Sequence, residues 1–197
     1  MAEFPQLPVF HVVGFTGHRQ LRDPAAVERV MHDVLTGLRA EEGVEWLALS
    51  SIAEGADMVF ARLALRLGLG WEAVLPLPPA EFRADFSPGP WRDVETLLGE
   101  AEHARVIGER TAREDAYLDC GMDTVNHCDV LLAVWDGEPS RGRGGTAGAE
   151  DPGQRHADEH GLPGHATVAA GALGDGAVGL GRAAAAKPQV SVVGLRD

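Results

Sequence analysis

The sequence predicts an α/β protein with a three-layer, doubly wound, mostly parallel sheet and an atypical Gly/Ala-rich C-terminal tail. Apolar runs as long as a buried strand alternate with segments in which apolar residues recur at helical spacing. Several of these runs end in glycine and small polar residues just before a helix start. Strand–turn–helix units of this kind build parallel sheets that are covered on both faces.

Two strand–helix units are predicted in the first part of the chain. An apolar strand at 9–15 is followed by Asp23-Pro24, a helix start with Asp as cap and Pro in the first turn. The helix that follows carries its apolar residues on one face. A second strand at 45–49 leads through a small polar turn into another amphipathic helix, which ends at Gly68.

The alternation continues to the middle of the chain. A third strand is predicted at 71–75, and helices at 91–104 and 111–127 flank a short strand at 105–107. The strand at 129–135 completes the regular pattern.

The residues after the last predicted strand have a different character. All aromatic residues lie at or before Trp135, and the rest of the chain is rich in Gly and Ala. We therefore predict a ligand-binding domain at 1–146 and a poorly patterned tail at 147–197, with partial disorder left open. One further strand is expected at 189–195. A reading-frame change near Ala147 is one hypothesis for the loss of pattern.

The composition restricts the class of protein. The 197 residues carry a net charge of −13, and Lys and Arg form no blocks. Nucleic acid is therefore not an expected partner, because nucleic-acid affinity comes largely from phosphate neutralisation. No apolar run approaches the roughly 20 residues that span a bilayer, so no membrane partner is expected. Cys120 and Cys128 are spaced too far apart on one predicted helix to bond, which favours a reduced, cytoplasmic compartment. A homo-oligomer is left open.

Two glycine-containing turns, far apart in sequence, follow two of the predicted strands. Backbone N–H groups at such strand ends and helix starts bind anions. Because the carboxyl ends of parallel strands share one edge of the sheet, we expect both turns to bind the phosphates of one small nucleotide-like ligand. The predicted ligand-binding residues of the two turns are Gly14, Thr16, Gly17, His18, Arg19, Asp136, Gly142, Gly144, Gly145 and Thr146.

Arg19 and His18 give the first turn its chemistry. The planar fork of Arg19 suits a phosphate or carboxylate, and the alternative is a salt bridge to Asp23 or Glu54. His18 is a candidate to donate to a phosphate or to act as an acid or base near neutral pH. The alternative for His18 is a turn histidine that faces solvent.

Ser50, Ser51 and Glu54 follow the second predicted strand. The serines are candidates for binding phosphate or ribose, and Glu54 for accepting from ribose hydroxyls or acting as a base. The alternative is a capping box, in which Ser51 caps a helix and Glu54 lies three residues further on. Asp57 is expected in the first turn of that helix, near the positive end of its dipole.

Neither a metal site nor a cofactor is predicted. His156, His160 and His165 lie in the tail at a spacing that can suit zinc, but their flanks are rich in Pro and Gly and carry no apolar support. Asp136 is a candidate for holding a ribose, a base or a metal. Its alternative is a plain turn aspartate before Gly137.

Three segments occur in a recognisable order along the chain. They are Gly14-Phe15-Thr16-Gly17-His18-Arg19, Ser50-Ser51 with Glu54-Gly55-Ala56-Asp57, and Val130-Leu131-Leu132-Ala133-Val134-Trp135-Asp136-Gly137 with Gly144-Gly145-Thr146. In this order they resemble the SLOG superfamily, Rossmann-like domains that include the LOG nucleotide phosphoribohydrolases and DprA-like proteins. The resemblance covers about three quarters of the chain, roughly 9–146. It implies a Rossmann-like fold that binds a nucleotide or nucleotide-derived ligand across the strand ends, and many members resemble sensors.

The chain departs from the LOG enzymes in their Pro-Gly-Gly-x-Gly-Thr-x-x-Glu pattern. Gly142, Gly145 and Thr146 match it, whereas Arg141 and Arg143 replace the proline and the second glycine. Ala149 stands at the position of the active-site glutamate, and Glu150 comes one residue late. One residue is a rotation of about 100° on a helix, so Glu150 is expected to point away from the cleft.

The sequence therefore supports binding or sensing of a nucleotide-like ligand. The alternative is hydrolysis of a nucleotide N-glycosidic bond of the LOG type, in which Glu54 or His18 supplies acid–base chemistry and Arg19 holds the phosphate. A further alternative is a degenerate member of the family. The displaced glutamate favours binding over hydrolysis.

Overall fold

Strands and helices alternate along the chain as the sequence predicts. The computed structural model describes residues 9–21, 23–107, 112–135, 167–170 and 189–194. The elements are β1 (Val9–Gly17), α1 (Pro24–Arg39), β2 (Val44–Ser50), α2 (Ala56–Leu67), β3 (Gly70–Leu75), α3 (Pro79–Phe82), a 3-10 turn (Arg83–Asp85), α4 (Pro88–Glu100), β4 (His103–Val106), α5 (Arg113–His127), β5 (Val130–Trp135), β6 (Thr167–Ala170) and β7 (Gln189–Gly194).

The strands form one sheet in the order β4-β3-β2-β1-β5-β7-β6. The five strands from β1 to β5 are parallel to their neighbours. β7 and β6 extend the sheet in the antiparallel sense. The predicted α/β fold with a mostly parallel sheet is therefore confirmed.

Helices cover both faces of the sheet, which gives three layers. α1, α2 and α4 contribute to the main core on one face, together with Val13 and Phe15 of β1. On the other face, Cys120 of α5 packs with Leu49 and Val74. Parallel crossovers are right-handed, so the chain changes face when the order of strands reverses. This reversal occurs at β1, since β2, β3 and β4 lie on one side of it and β5 on the other.

The main core joins β1 to α1 and α2. Phe15 stacks on Phe60 with ring centroids 4.6 Å apart. Met31 and Leu35 lie on the apolar face predicted for α1 and are fully buried. Burial of each such side chain stabilises the fold by about 1.5–3 kcal/mol. The core therefore holds the first two strand–helix units together beneath the edge where the candidate site lies.

The start of α1 agrees with the sequence, whereas the end of β1 does not. The Oδ1 atom of Asp23 accepts from the backbone N–H of Ala26 at 3.0 Å, as expected for the cap. β1 continues two residues beyond the predicted end, because Thr16 and Gly17 pair with β5. Pairing with a strand that is distant in sequence thus shortens the turn, which begins at His18.

Two segments of the predicted tail join the sheet. The strand expected at 189–195 is confirmed as β7 (Gln189–Gly194), whereas β6 (Thr167–Ala170) was not predicted. The remaining residues of 147–197 lie outside the described residues. The division into a domain at 1–146 and a tail stays a prediction.

Candidate functional site

The reversal of strand order places the turn after β1 against the end of β5. Thr16 lies opposite Ala133 and Gly17 lies opposite Val134 in the parallel register. The backbone N–H of His18 then donates to the carbonyl oxygen of Val134 at 3.2 Å. In open α/β sheets, ligands bind beyond the carboxyl ends of the strands at such a switch point.

The loop between β2 and α2 packs directly on the turn after β1. The backbone N–H of Ala56 donates to the carbonyl oxygen of His18 at 3.2 Å. Gly55 has a φ of +100°, and a Cβ atom there would lie 2.2 Å from the carbonyl oxygen of Arg19. Both the backbone conformation and the close approach therefore require glycine at this position. Two of the predicted segments thus meet at this edge of the sheet.

Asp57 holds the β2–α2 loop through its side chain. Its Oδ2 atom accepts from the Ser51 hydroxyl at 2.6 Å and from the Ala53 backbone N–H at 3.2 Å. The capping-box alternative for Ser51 is wrong, because Gly55 is the N-cap of α2 and makes no side-chain cap hydrogen bond. Asp57 does lie in the first turn of α2, as expected. The sequence did not predict that it also organises the loop.

Ile52 adopts an unusual backbone conformation in the middle of this loop. Its φ is +51° and its side chain is fully buried. A β-branched residue in this region is strained and persists only when its surroundings hold it there. Such strain concentrates at functional sites, which marks the loop beside the turn after β1 as a candidate.

Burial raises the pKa of the Asp57 carboxyl to about 6. The hydrogen bonds from Ser51 and Ala53 act in the opposite direction, as does the positive charge of Arg19. Asp57 and Arg19 are therefore electrostatically coupled beneath the turn. An anion that bound to Arg19 would offset its positive charge and would weaken the lowering of the Asp57 pKa by Arg19.

The side chain of Arg19 stacks on Tyr117 of α5. Its Cζ atom lies over the ring, 5.9 Å from the centroid. The Nε atom is buried and has no hydrogen-bond partner in the described part of the chain. The salt bridge considered with Asp23 or Glu54 does not form; the positive charge remains close to the buried carboxyl of Asp57 instead.

Tyr117 lies between two arginines and was not predicted as a site residue. Arg113 also lies over its ring, with Cζ 5.8 Å from the centroid, and pairs with Asp85 at 2.5 Å. The Tyr117 hydroxyl is buried, and no described residue forms a hydrogen bond with it. One signal was available in the sequence, because Tyr117 is the single tyrosine and lies one helical turn after Arg113.

The glycines of the first turn have packing roles. Gly14 lies inside β1, where an added Cβ atom would lie 2.7 Å from the Sγ atom of Cys128. At Gly17, an added Cβ atom would lie 2.7 Å from the Cβ atom of Ala56. Gly14 thus permits the approach of α5 and Gly17 that of α2. A ligand-binding role for either glycine stays a prediction.

The other predicted site residues differ in exposure. Ser50 is fully buried, and its hydroxyl accepts from the Ile52 backbone N–H at 3.5 Å. Thr16 and His18 are partly buried, and Glu54 is exposed. The predicted residues of the second turn lie outside the described residues: Asp136, Gly142, Gly144, Gly145 and Thr146. The expected contact between the Thr146 segment and Thr16 therefore stays a prediction.

A separate groove of about 300 Å³ lies between α2 and α4. It is lined by residues from the later parts of both helices, including Arg62, Arg66 and Asp93. The ends of these helices lie at the amino edge of the sheet, opposite the turns described above. Arg62 pairs with Asp93 at 2.7 Å, so part of the charge lining the groove is already neutralised.

No protein-family model and no curated protein matches this chain. The resemblance to the SLOG superfamily therefore stays a prediction. Of the helices that the structure describes, none combines the length and apolar character needed to cross a membrane. Within the same residues, no group of three or more His, Cys, Asp or Glu side chains is arranged to hold a metal ion.

Proposed function

We propose that this protein binds a nucleotide or a nucleotide-derived phosphorylated ligand at the carboxyl edge of its sheet, beside β1. One observation carries the proposal: the strand order reverses at β1, and the turn after β1, which begins at His18, lies at that reversal against the end of β5. Helices on opposite faces leave a crevice at such a point, and α/β folds bind nucleotides there.

Arg19 supports an anionic ligand. The chain as a whole is acidic, with a net charge of −13. The positive charge of Arg19 at the switch point therefore has to be explained by its local surroundings. The buried Nε–H has no acceptor among the described residues, although a buried donor without a partner is unfavourable. The side of a guanidinium that includes Nε–H matches two oxygens of a phosphate group.

Binding is favoured over hydrolysis of an N-glycosidic bond. Hydrolysis of a glycosidic bond requires a carboxyl group positioned at the scissile bond. Glu54, the carboxylate considered for this role, is exposed in a turn. Asp57 is buried, but its Oδ2 atom already accepts from Ser51 and Ala53. A binding or sensing role requires no carboxyl group at a scissile bond, so it fits the arrangement better than hydrolysis does.

Thermal unfolding in the presence of AMP, ADP, NAD, ADP-ribose and adenosine tests the proposal. A nucleotide at about 100 times its dissociation constant should stabilise the protein by about 2.7 kcal/mol. Arg19→Ala should lose most of this stabilisation. Arg39→Ala, which removes an exposed arginine from the far end of α1, is the matched control and should retain it.

The proposal fails if no nucleotide raises the unfolding midpoint of the wild-type protein. Equal stabilisation of the Arg19→Ala and Arg39→Ala variants would remove Arg19 from the site. Chromatography of the nucleotides after long incubation addresses the hydrolase alternative. Release of a free base would contradict a purely binding role.

A further inference from the structure

Buried polar atoms without a hydrogen-bond partner concentrate around Tyr117. In the described part of the chain they include Arg19 Nε, the Tyr117 hydroxyl, Trp91 Nε1 and Asp85 Oδ2. Native proteins contain few such atoms, and each calls for an explanation such as a bound group. Four of them lie in the side-chain cluster that includes Tyr117, which makes this cluster a candidate for binding a further group.

Contacts between side chains join these four residues into one cluster. Phe82 links Tyr117 and Trp91, with ring centroids 6.3 Å and 6.5 Å from its own. Arg19 lies over the Tyr117 ring, and Arg113 lies over the same ring while it pairs with Asp85. The segments that carry them follow the carboxyl ends of β1, β3 and β4. The cluster therefore lies at the same edge of the sheet as the candidate site.

The cluster has an excess of donors and of positive charge. Three of the four unpartnered atoms are N–H or O–H donors, and one is a carboxylate oxygen. Arg113 is neutralised by Asp85 at 2.5 Å. Arg19 has no carboxylate bound to it among the described side chains, because Asp57 accepts from Ser51 and Ala53 instead. Because the donors lie beside the positive charge of Arg19, a group with negatively charged oxygens suits them best.

Tyr117 is held in place for such a role. Its ring contacts both guanidinium groups, and Arg113 is anchored by Asp85 and by the carbonyl oxygen of Glu81 at 3.4 Å. A guanidinium that stacks on an aromatic ring keeps its in-plane N–H groups available for a ligand.

We propose that Arg19 and Tyr117 form a single oxyanion subsite, in which the Nε–H of Arg19 and the Tyr117 hydroxyl both donate to one phosphate group of the ligand. The inference rests on the proposed function and adds a specificity-determining residue to that site. Tyr117 contributes a second donor to that phosphate group and Arg19 supplies the charge.

The single tyrosine makes this inference directly testable. Replacing tyrosine with 3-fluorotyrosine gives one ¹⁹F resonance, because the chain contains one Tyr. Inorganic pyrophosphate and ADP-ribose should each shift this resonance in a saturable way. Adenosine, which has no phosphate, should leave it in place, and malonate, which offers only carboxylates, should shift it less than pyrophosphate does at the same concentration.

Tyr117→Phe then separates the hydroxyl from the ring. The variant keeps the ring on which Arg19 stacks, so its unfolding midpoint should stay close to that of the wild type. Its affinity for ADP-ribose should fall about tenfold, as expected for the loss of a hydrogen bond to a charged group. Thr36→Val, which removes an exposed hydroxyl from α1, is the matched control and should bind as the wild type does.

The outcomes distinguish this inference from the proposed function. If ADP-ribose binds Tyr117→Phe as tightly as the wild type, the subsite is wrong and the nucleotide site stands. If neither pyrophosphate nor ADP-ribose moves the fluorine resonance, the subsite is also overturned. A response to malonate alone or to adenosine overturns the phosphate assignment. The proposed function itself fails only in the thermal panel of the wild-type protein.

Discussion

Asp57 shows how one side chain determines the shape of the candidate site. Its carboxyl group is buried at the start of α2, where it binds both the Ser51 hydroxyl and the Ala53 backbone. These two hydrogen bonds span the strained residue Ile52 and keep the loop beside the turn after β1. The Asp57 carboxylate therefore stabilises the loop through these two hydrogen bonds, although burial disfavours its negative charge.

Asp57→Asn should change the pH dependence of stability. The pKa of the carboxyl is about 6 in the folded protein, against 3.8 for the ordinary side chain. Between these values the folded state binds more protons than the unfolded state, so stability from this group falls as pH rises. The loss from about pH 4 to about pH 7 amounts to roughly 3 kcal/mol. The asparagine variant lacks this loss, so its stability relative to the wild type should improve over that range, as measured by urea unfolding.

Asp93→Asn provides the control for this prediction. Asp93 is exposed and pairs with Arg62 on the surface, where ion pairs contribute about 0–1 kcal/mol. Its effect on stability should vary little over the same range of pH. A stability difference between wild type and Asp57→Asn that does not depend on pH would contradict the raised pKa.

At the scale of elements, α5 protects one face of the sheet. Of the described helices, α5 alone packs there, with Cys120 and Cys128 buried beneath it. Burial raises the pKa of the Cys120 thiol, and the negative charges of Asp57 and Asp123 raise it further. Thiolates are the reactive form of cysteine, so both the packing and the chemistry predict slow labelling of these thiols.

Gly14→Ala should loosen α5 from the sheet. The added Cβ atom would lie 2.7 Å from Cys128 Sγ and 2.8 Å from Cys128 Cβ, so the helix has to move. We expect a loss of about 1–3 kcal/mol in urea unfolding and faster thiol labelling of the native protein. Gly99→Ala in α4 is the control, since its Cβ atom meets nothing within 4 Å. If Gly14→Ala kept the stability and the thiol-labelling rate of the wild type, α5 would not pack on the sheet as closely as described.

At the scale of the whole molecule, the tail closes an edge of the parallel sheet. β5 is an apolar strand, and β7 pairs with it along its whole length from Val130 to Trp135. An apolar edge strand with unpaired backbone groups is a template for association. The two segments of the tail that the structure describes therefore protect the strand next to the candidate site.

A chain that ends after Trp135 should self-associate. Removal of β7 exposes the backbone N–H and C=O groups of β5 on an apolar strand. Size-exclusion chromatography with light scattering should show larger species and a lower unfolding midpoint than for the full chain. A chain that lacks only 195–197 keeps β7 and should behave as the full chain does. A shortened chain that stays as monomeric and as stable as the full one would contradict the pairing of β5 with β7.

Local signals explain how much of the architecture could be predicted. The alternation of strands and helices, the Asp23 cap of α1 and the end of α2 at Gly68 depend on residues within a few positions of one another. The end of β1 was predicted wrongly, because pairing with β5, which is distant in sequence, decides it. The capping-box alternative for Ser51 is also wrong, because Gly55 is the N-cap of α2. At the candidate site, ligand binding by Arg19 stays a prediction, and the stacking of Arg19 on Tyr117 was not predicted.

The sequence by itself determined the alternating strands and helices up to β5 and the polar character of the turns at the strand ends, because hydrophobic period, caps and glycines act over short stretches of chain. Only the tertiary structure decided that β5 lies beside β1, that Asp57 is buried under the loop and that Arg19 stacks on Tyr117. These arrangements join segments far apart along the chain. They result from packing and pairing of the whole sheet, which no local pattern of residues specifies.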